Sequence, residues 1–203
     1  MINAHLAADI IVDGEQWPVF VWTIDHPAGR VLVDTGMIDT RPEIDDMSPT
    51  PHPENIPRDV ACVINTHLHF DHCGGNRLFP GVPIHVQARE LADARSLDNY
   101  TIREWVDFDG ATYVEHEGEV ELLPGIRLLP APGHSDGHQV VVVETDARGK
   151  RHRRGRGHLV PRARQRHDRG TASRARARSA YVALPRAGAE DPATSSVGHG
   201  RRR

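Results

Sequence analysis

Short apolar runs of strand length alternate with turn residues along the first 150 residues of the chain. The run Trp17–Ile24 is rich in β-formers, turn residues follow at His26–Arg30, and a second apolar run occupies Arg30–Asp34. Together these three segments predict a β-hairpin. The nearly all-apolar segment Asp59–Asn65 is typical of a strand that is buried on both faces.

Further patterns extend this organisation towards residue 150. Asp39–Pro57 is rich in Pro and Asp and has no period, which predicts a loop or short helix, and Ala88–Leu97 has helical spacing. Further strands, and the end of a short helix at Arg77–Phe79, complete the pattern; the strands are predicted at Val82–Gln87, Ala111–His116, Val120–Leu123, Ile126–Pro130 and Gln139–Thr145. Strands interleaved with short helices predict a layered α+β domain.

Size and composition narrow the class of protein. A chain of 203 residues suffices for one substantial domain. No run approaches the roughly 18 apolar residues of a membrane helix, and the start has neither a basic region nor a long apolar region. The only cysteines, Cys62 and Cys73, do not make a disulfide framework. We therefore expect a cytoplasmic protein with no membrane partner.

The net charge of −3 hides two opposite halves. Residues 1–150 hold 10 Lys and Arg against 25 Asp and Glu, a net charge of −15, whereas residues 151–203 hold 15 Arg against three acids, a net charge of +12. This tail has only five Leu, Ile, Val or Phe, too few to form a core of its own. The folding information therefore lies in residues 1–150.

The segment Thr66–His72 carries the strongest chemical signal. It places His67, His69, Asp71 and His72 directly after the predicted buried strand. In a loop at a strand end these side chains can converge, and imidazole with carboxylate is a ligand set that suits Zn²⁺. A His-rich surface loop is the plain alternative, and so many potential ligands within six positions count against it. A structural zinc site is a further alternative, weakened because such sites usually use cysteine.

A second signal is the segment Ala131–His138, in which His134 follows a Pro-Gly turn after a strand. Such a turn can bring one more imidazole to the centre formed by the first motif. His138, four positions further on, is interpreted as a structural residue or as a partner of the ligands rather than a ligand.

These residues resemble the metallo-β-lactamase superfamily. The resemblance rests on His67-x-His69-x-Asp71-His72, on Pro132-Gly133-His134 and on the strand ending Val31–Gly36. Stretches at Ile24–Arg30, Asn65–Asn76 and Pro132–Gln139 look most like the N-acyl homoserine lactone lactonases of that superfamily. The resemblance implies an αβ/βα four-layer sandwich over residues 1–150, with its C-terminal part incomplete.

The resemblance also implies a ligand set of two zinc ions. His67, His69 and His134 would bind the first metal, and Asp71 and His72 the second. A bridging aspartate and a last histidine would follow, but the expected window at Arg153–Arg156 offers neither an aspartate nor a glutamate. We therefore expect one zinc, or two that are weakly held, and impaired activity. Asp34 and Cys73 are interpreted as structural, and no role is transferred to Tyr181.

The implied reaction is hydrolysis of a lactone ring by metal-activated water. Asp71 would orient the nucleophile or carry a proton to the leaving alkoxide. The acidic body favours a small neutral or cationic ester or lactone over a nucleic acid. Two alternatives stay open: a thioesterase of the hydroxyacylglutathione type, and a non-enzymatic protein that binds nucleic acid through its basic tail.

Three interpretations compete for residues 151–203: a functional basic arm, a disordered tail, and translation from the wrong frame of a GC-rich gene. Basic arms normally mix Lys with Arg, yet this segment has no Lys. Shifting CGN, CAY and GGN codons by one base yields mainly Val, Ala, Gly, Asp or Glu, which is closer to what the family places here. The frameshift is the interpretation that we prefer.

Overall fold

The computed structural model describes residues 1–145 and the backbone of a two-residue strand at Val182–Ala183. Over these residues the chain forms two β-sheets and three short α-helices, so the α+β class is confirmed. In chain order the strands are β1 (Ile2–Val12), β2 (Glu15–Ile24), β3 (Val31–Val33), β4 (Thr50–Pro51), β5 (Cys62–Ile64), β6 (Pro83–Gln87), β7 (Thr112–His116), β8 (Val120–Leu123), β9 (Ile126–Pro130), β10 (Gln139–Val143) and β11 (Val182–Ala183). The helices are α1 (Phe70–Cys73), α2 (Ala88–Ser96) and α3 (Arg103–Val106), with 3₁₀ turns at Pro42–Met47, Pro53–Asn55 and Asn76–Leu78.

The larger sheet has seven strands in the order β4-β1-β2-β3-β5-β6-β7. The predicted hairpin is confirmed: β2 and β3 are antiparallel, with Trp22 opposite Val33. From β3 to β7 the neighbours run parallel, so β5 lies between two parallel partners. The smaller sheet has the order β11-β10-β9-β8, in which β10 is antiparallel to β9 and parallel to β11.

The core lies between the two sheets and also beneath the helices. Apolar side chains of the larger sheet, such as Val33 and Ile64, pack against Leu128 and Val141 of the smaller sheet. On the opposite face of the larger sheet, Val86 packs with Leu91 of α2 and other buried residues. The described residues thus form three layers of the expected sandwich: helices, the seven-stranded sheet and the four-stranded sheet.

Several predicted bounds need correction. The strand predicted at Asp59–Asn65 is regular only over Cys62–Ile64, where every side chain is buried, while Asp59 and Ala61 are exposed. The strand predicted at Gln139–Thr145 ends at Val143. The long strand β1 and the short helix α3 were not predicted. Both cysteines are buried free thiols, in agreement with the absence of a disulfide framework.

Within the described residues no helix has the length and apolar character needed to cross a membrane. The expected features of the tail, including the window Arg153–Arg156 and Tyr181, lie outside the described residues.

Candidate metal centre

The candidate ligands lie at the carboxyl end of the central strand β5. After Ile64 the chain leaves the sheet through Asn65 and Thr66, and His67 and His69 follow in the connecting loop. Asp71 and His72 then fall in α1, a single helical turn rather than the predicted loop. The backbone therefore changes from extended to helical at His69, and this change aims the two pairs of side chains at neighbouring points.

The structure brings three of the five predicted ligands into one group. The ligand atoms of His67, His69 and His134 all lie within 4.8 Å of one another. Nδ1 of His69 is 3.0 Å from Nε2 of His134, and the ring of His67 is 4.7 Å from each of the other two rings. Three convergent imidazoles at the end of a rigid strand match the ligand set of a zinc site.

The hydrogen bonding of the His67 ring indicates whether these residues fit a metal. Nε2 of His67 is buried and has no hydrogen-bond partner among the described residues. Its other ring nitrogen, Nδ1, lies 3.1 Å from the Thr66 hydroxyl, so only Nε2 faces the group. Because a buried polar atom without a partner costs free energy, the arrangement is explained if Nε2 donates its lone pair to a cation. The residues present therefore fit a bound metal.

Asp71 and His72 form a second, adjacent pair. Nε2 of His72 lies 3.4 Å from the Asp71 carboxylate, and the His72 ring is 4.1 Å from the ring of His67. On its far side, His72 donates from Nδ1 to Asp34 at 2.9 Å. Asp34 also accepts the backbone N–H of Thr66 at 2.7 Å. This carboxylate thus fixes the ring of one candidate ligand and the start of the loop that carries two others.

Burial and neighbouring charges set the protonation of these groups in opposite directions. Burial lowers the pKa of His67 well below its ordinary value, and it lowers the pKa of His69 to about 4. Burial also lowers the pKa of His72, but the carboxylates of Asp71 and Asp34 outweigh it and raise that pKa to about 10. For Asp71, burial raises the pKa, but the charge of His72 prevails and holds it below the ordinary value. The neutral imidazoles of His67 and His69 and the ionised carboxylate of Asp71 are in the forms that bind metals, whereas His72 must lose a proton to bind one.

The residues interpreted as structural lie beside the group. The ring of His138 is 5.2 Å from the ring of His67, and its Nδ1 is buried without a hydrogen-bond partner among the described residues. The thiol of Cys73 donates to the carbonyl of Leu68 at 3.3 Å. Burial raises the pKa of this thiol to about 12, so it packs as an uncharged group.

Glu90 joins the two loops that carry the histidines, and the sequence pattern did not predict this role. This α2 residue is fully buried and accepts hydrogen bonds from Leu68 and Ser135. The sequence held one indication of its burial: Glu90 is adjacent to Leu91 and Ala94, the apolar residues of the buried side of α2. A charged residue at the edge of an apolar stripe is usually assigned to the surface.

The β1–β2 hairpin forms one wall beside the second pair. A small cavity there is bordered by Asp71 and His72 on one side and by the hairpin on the other; its hairpin residues are Ile10, Trp17, Pro18, Val19 and Phe20. Trp17 remains 39% exposed, so this wall is partly open to solvent. The second pair thus faces an apolar, partly open surface.

Comparison with known proteins agrees with this geometry. The family model described as the metallo-beta-lactamase superfamily matches residues 14–149. The chain belongs to the metallo-beta-lactamase superfamily. The matched region includes every candidate ligand and the strands β2 to β10.

Among curated members of this superfamily, the chain is similar to N-acyl homoserine lactonases. It is 33% identical over 169 residues to one from Bacillus sp, covering 73% of this chain and 66% of that protein. It is 31% identical over 153 residues to one from Bacillus cereus, covering 65% of this chain and 60% of that protein. The chain thus spans about two thirds or less of the length of these relatives.

The chain is also similar to solved structures of lactonases from this superfamily. A quorum-quenching N-acyl homoserine lactone lactonase superposes with a TM-score of 0.59 at 28% identity, covering 70% of this chain and 71% of that one. A lactone hydrolase with the product N-hexanoyl-L-homoserine bound at its catalytic metal center gives a TM-score of 0.56 at 26% identity, covering 70% and 73%. The metallo-β-lactamase-type fold is confirmed for the described part of the chain.

Proposed function

We propose that this chain is a metal-dependent hydrolase that opens the lactone ring of N-acyl homoserine lactones, the activity called quorum quenching. The observation that carries the proposal is the convergence of His67, His69 and His134, in which Nε2 of His67 is buried without a hydrogen-bond partner among the described residues. Similarity to lactonases over most of residues 1–150 supports the choice of substrate class.

The proposed metal is zinc. His67, His69 and His134 would hold one ion, and Asp71 and His72 would contribute to a second. A zinc ion held there supplies a Lewis acid for the ester carbonyl and activates water near neutral pH. Among the described residues no third ligand joins Asp71 and His72 in a group of their own. We therefore expect one zinc, or two weakly held, and low activity.

Asp71 is the proposed catalytic group of the chain itself. Its lowered pKa keeps the carboxylate ionised near neutral pH, so it can accept a proton from the attacking water. The same oxygen then delivers that proton to the alkoxide that leaves when the ring opens. Asp34 and His72 assist by position: the hydrogen bond between them fixes the imidazole that faces Asp71.

Shape and charge favour a neutral lactone over a nucleic acid. The apolar wall of Trp17 and Phe20 beside Asp71 suits an acyl chain. Residues 1–150 carry a net charge of −15, which repels a phosphate backbone. The cytoplasm remains the expected location.

The test compares substrates on one protein preparation loaded with zinc. N-acyl homoserine lactones, glutathione thioesters and duplex DNA are assayed with the wild type and with H134A. We expect slow lactone opening, which H134A abolishes. Turnover of thioesters alone would favour the thioesterase alternative, and salt-sensitive DNA binding that is lost on deletion of residues 151–203 would favour the basic-tail alternative.

The frame of the tail is tested on the gene. We propose that residues 151–203 replace the native C-terminal part of the domain. Shifting the frame after codon 150 is expected to restore an aspartate and a histidine downstream and to increase lactone opening and zinc stoichiometry. Resequencing that finds an uninterrupted native frame, together with no gain of activity in the shifted version, would contradict this interpretation.

A further inference from the structure

Glu90 is a buried carboxylate to which three separate segments of the chain donate hydrogen bonds. It lies in the first turn of α2 and has no solvent exposure. Its Oε1 accepts the backbone N–H of Leu68 at 2.8 Å and a short hydrogen bond from the Tyr100 hydroxyl, and its Oε2 accepts the Ser135 hydroxyl at 2.6 Å. A carboxylate is an acceptor at both oxygens, so it can serve several donors at once.

Two of these donors are immediate neighbours of candidate metal ligands. Leu68 lies between His67 and His69, and Ser135 directly follows His134. The third donor, Tyr100, places its ring 4.8 Å from the ring of His69. A single side chain therefore contacts both loops whose histidines converge, although these loops are about 65 residues apart in the sequence.

The backbone around Glu90 shows that this junction is tightly packed. A Cβ atom on Gly137 would lie 2.2 Å from the backbone nitrogen of Glu90. Gly137 is buried, and its backbone is not in the left-handed region, so close approach to α2 explains the glycine. The His134 loop therefore packs directly on the helix turn that carries Glu90. A shift of the helix would move that loop as well.

We propose that Glu90 is a positioning residue that sets the separation of His69 and His134 by holding both loops on α2. Its effect on metal binding rests on the proposed function, whereas its effect on the loops does not. Burial raises the pKa of Glu90, and hydrogen bonds from Ser135, Tyr100 and Leu68 oppose that effect. These hydrogen bonds satisfy a group that would otherwise be costly to bury.

The first experiment needs no metal. Amide hydrogen exchange is measured on the metal-free full chain for the wild type, E90A, E90Q and the control D93N. Asp93 is a matched control because it is also buried on α2 but pairs with Arg89 at 2.8 Å. In E90A we expect exchange at Leu68 and across residues 131–138 to rise about tenfold, the equivalent of one lost charge-assisted hydrogen bond. D93N leaves these amides unchanged.

The second experiment measures zinc affinity by competition with a chromophoric chelator, and the visible absorption of bound Co²⁺ as a report on geometry. E90A is expected to weaken zinc binding about 10- to 100-fold and to alter the Co²⁺ spectrum. E90Q is expected to restore both, because its amide oxygen still accepts from Leu68 and its NH₂ group can donate to Ser135. S135A, a milder change, weakens binding in the same direction if E90A does not fold.

The outcomes separate this inference from the proposed function. If the wild type binds no zinc but E90A accelerates exchange in both loops, the proposed function is wrong and the positioning role of Glu90 stands. If the wild type binds zinc and E90A or S135A binds it equally well, with unchanged exchange, the positioning role is wrong. Equal effects of E90A and D93N would also overturn it, since they would reflect general loosening of α2.

Discussion

The Asp34 carboxylate and the His72 imidazole form a buried hydrogen bond of 2.9 Å, with side-chain exposures of 0% and 3%. Asp34 also accepts from the backbone and hydroxyl of Thr66. Replacing Asp34 by alanine removes the acceptor of the buried Thr66 N–H and of Nδ1 of His72. We expect D34A to lower the free energy of unfolding by about 3–5 kcal/mol, measured by denaturant titration of the metal-free protein.

A matched control separates lost hydrogen bonds from backbone strain. Asp34 has a φ of +56°, a conformation that alanine adopts with difficulty. Asp13 has nearly the same φ, +54°, but is exposed in the turn between β1 and β2. D13A should cost about 1 kcal/mol through the backbone alone. If D34A is no worse than D13A, the network around Asp34 contributes little.

The group of His67, His69 and His134 predicts that zinc affinity depends on His134. H134A removes one of the three converging imidazoles, so zinc affinity should fall by more than the about 10- to 100-fold that is typical of losing a partner of a ligand. H26A is the control, because His26 lies in the turn after β2 and bonds to the Pro124 carbonyl. Isothermal titration of zinc into the metal-free protein checks both. Equal affinity in H134A and H26A would show that the group binds no metal.

Stability should fall in acid through a pair of histidines that are not among the candidate metal ligands, His85 and His116. The rings of His85 and His116 stack, with Nδ1 of the first 2.9 Å from Nε2 of the second. Burial, aided by His116, lowers the pKa of His85 from 6.5 to about 4. As pH falls through this interval the unfolded chain takes up the proton first, so stability present above pH 6.5 is lost towards pH 4.

The measurement compares the free energy of unfolding at several pH values with a chelator present. H85Q removes one group that resists protonation, so its stability should fall less steeply below pH 6.5 than that of the wild type. H26Q, which changes a histidine of the turn after β2, is measured as a comparison. Identical slopes in all three proteins would mean that the pair does not titrate on unfolding.

Gly75, which follows α1, is packed so closely that a larger residue should clash with the backbone. A Cβ atom on Gly75 would lie 2.2 Å from the carbonyl oxygen of Thr35, although the φ of Gly75 is an ordinary −88°. We expect G75A to cost about 1–3 kcal/mol through overpacking. G14A is the comparison, because Gly14 has a φ of +80° and nothing within 4 Å. Thermal unfolding ranks the two, and a smaller loss in G75A would contradict the contact.

The sequence predicts best those elements whose signals are local. The hairpin of β2 and β3 depends on residues close together in the chain, and this prediction agrees with the structure. The structure also brings His67 and His69 of the Thr66–His72 segment together, whereas the ligand role of the segment stays a prediction. The strand β1 was missed because its alternation is weak, with alanines and His5 within it. Its conformation is stabilised by pairing with β2 along its whole length. Pairing of this kind is not readable from one strand.

The same limit explains what was missed at the site. Glu90 follows Arg89 in a short helix, and such a pair usually predicts a solvated face. Its burial depends on Ser135, 45 residues away in the sequence. The ligand role of His134 could be predicted only from a separate motif, the Pro-Gly turn in the segment Ala131–His138. Long-range partners of a buried polar group are therefore the part of a site that a single sequence hides.

The hydrogen bonds of Gln139 have a consequence for the order of synthesis. Its backbone N–H reaches the carbonyl of Thr66 at 2.9 Å, and its side-chain amide reaches that of Asn65 at 2.8 Å. A ribosome completes the segment with His67 and His69 long before it adds Gln139. The nascent chain therefore carries these histidines without His134 until β10 has emerged and paired. A chain whose translation stops before residue 134 lacks one of the three histidines. A chain that extends past β10 contains all three.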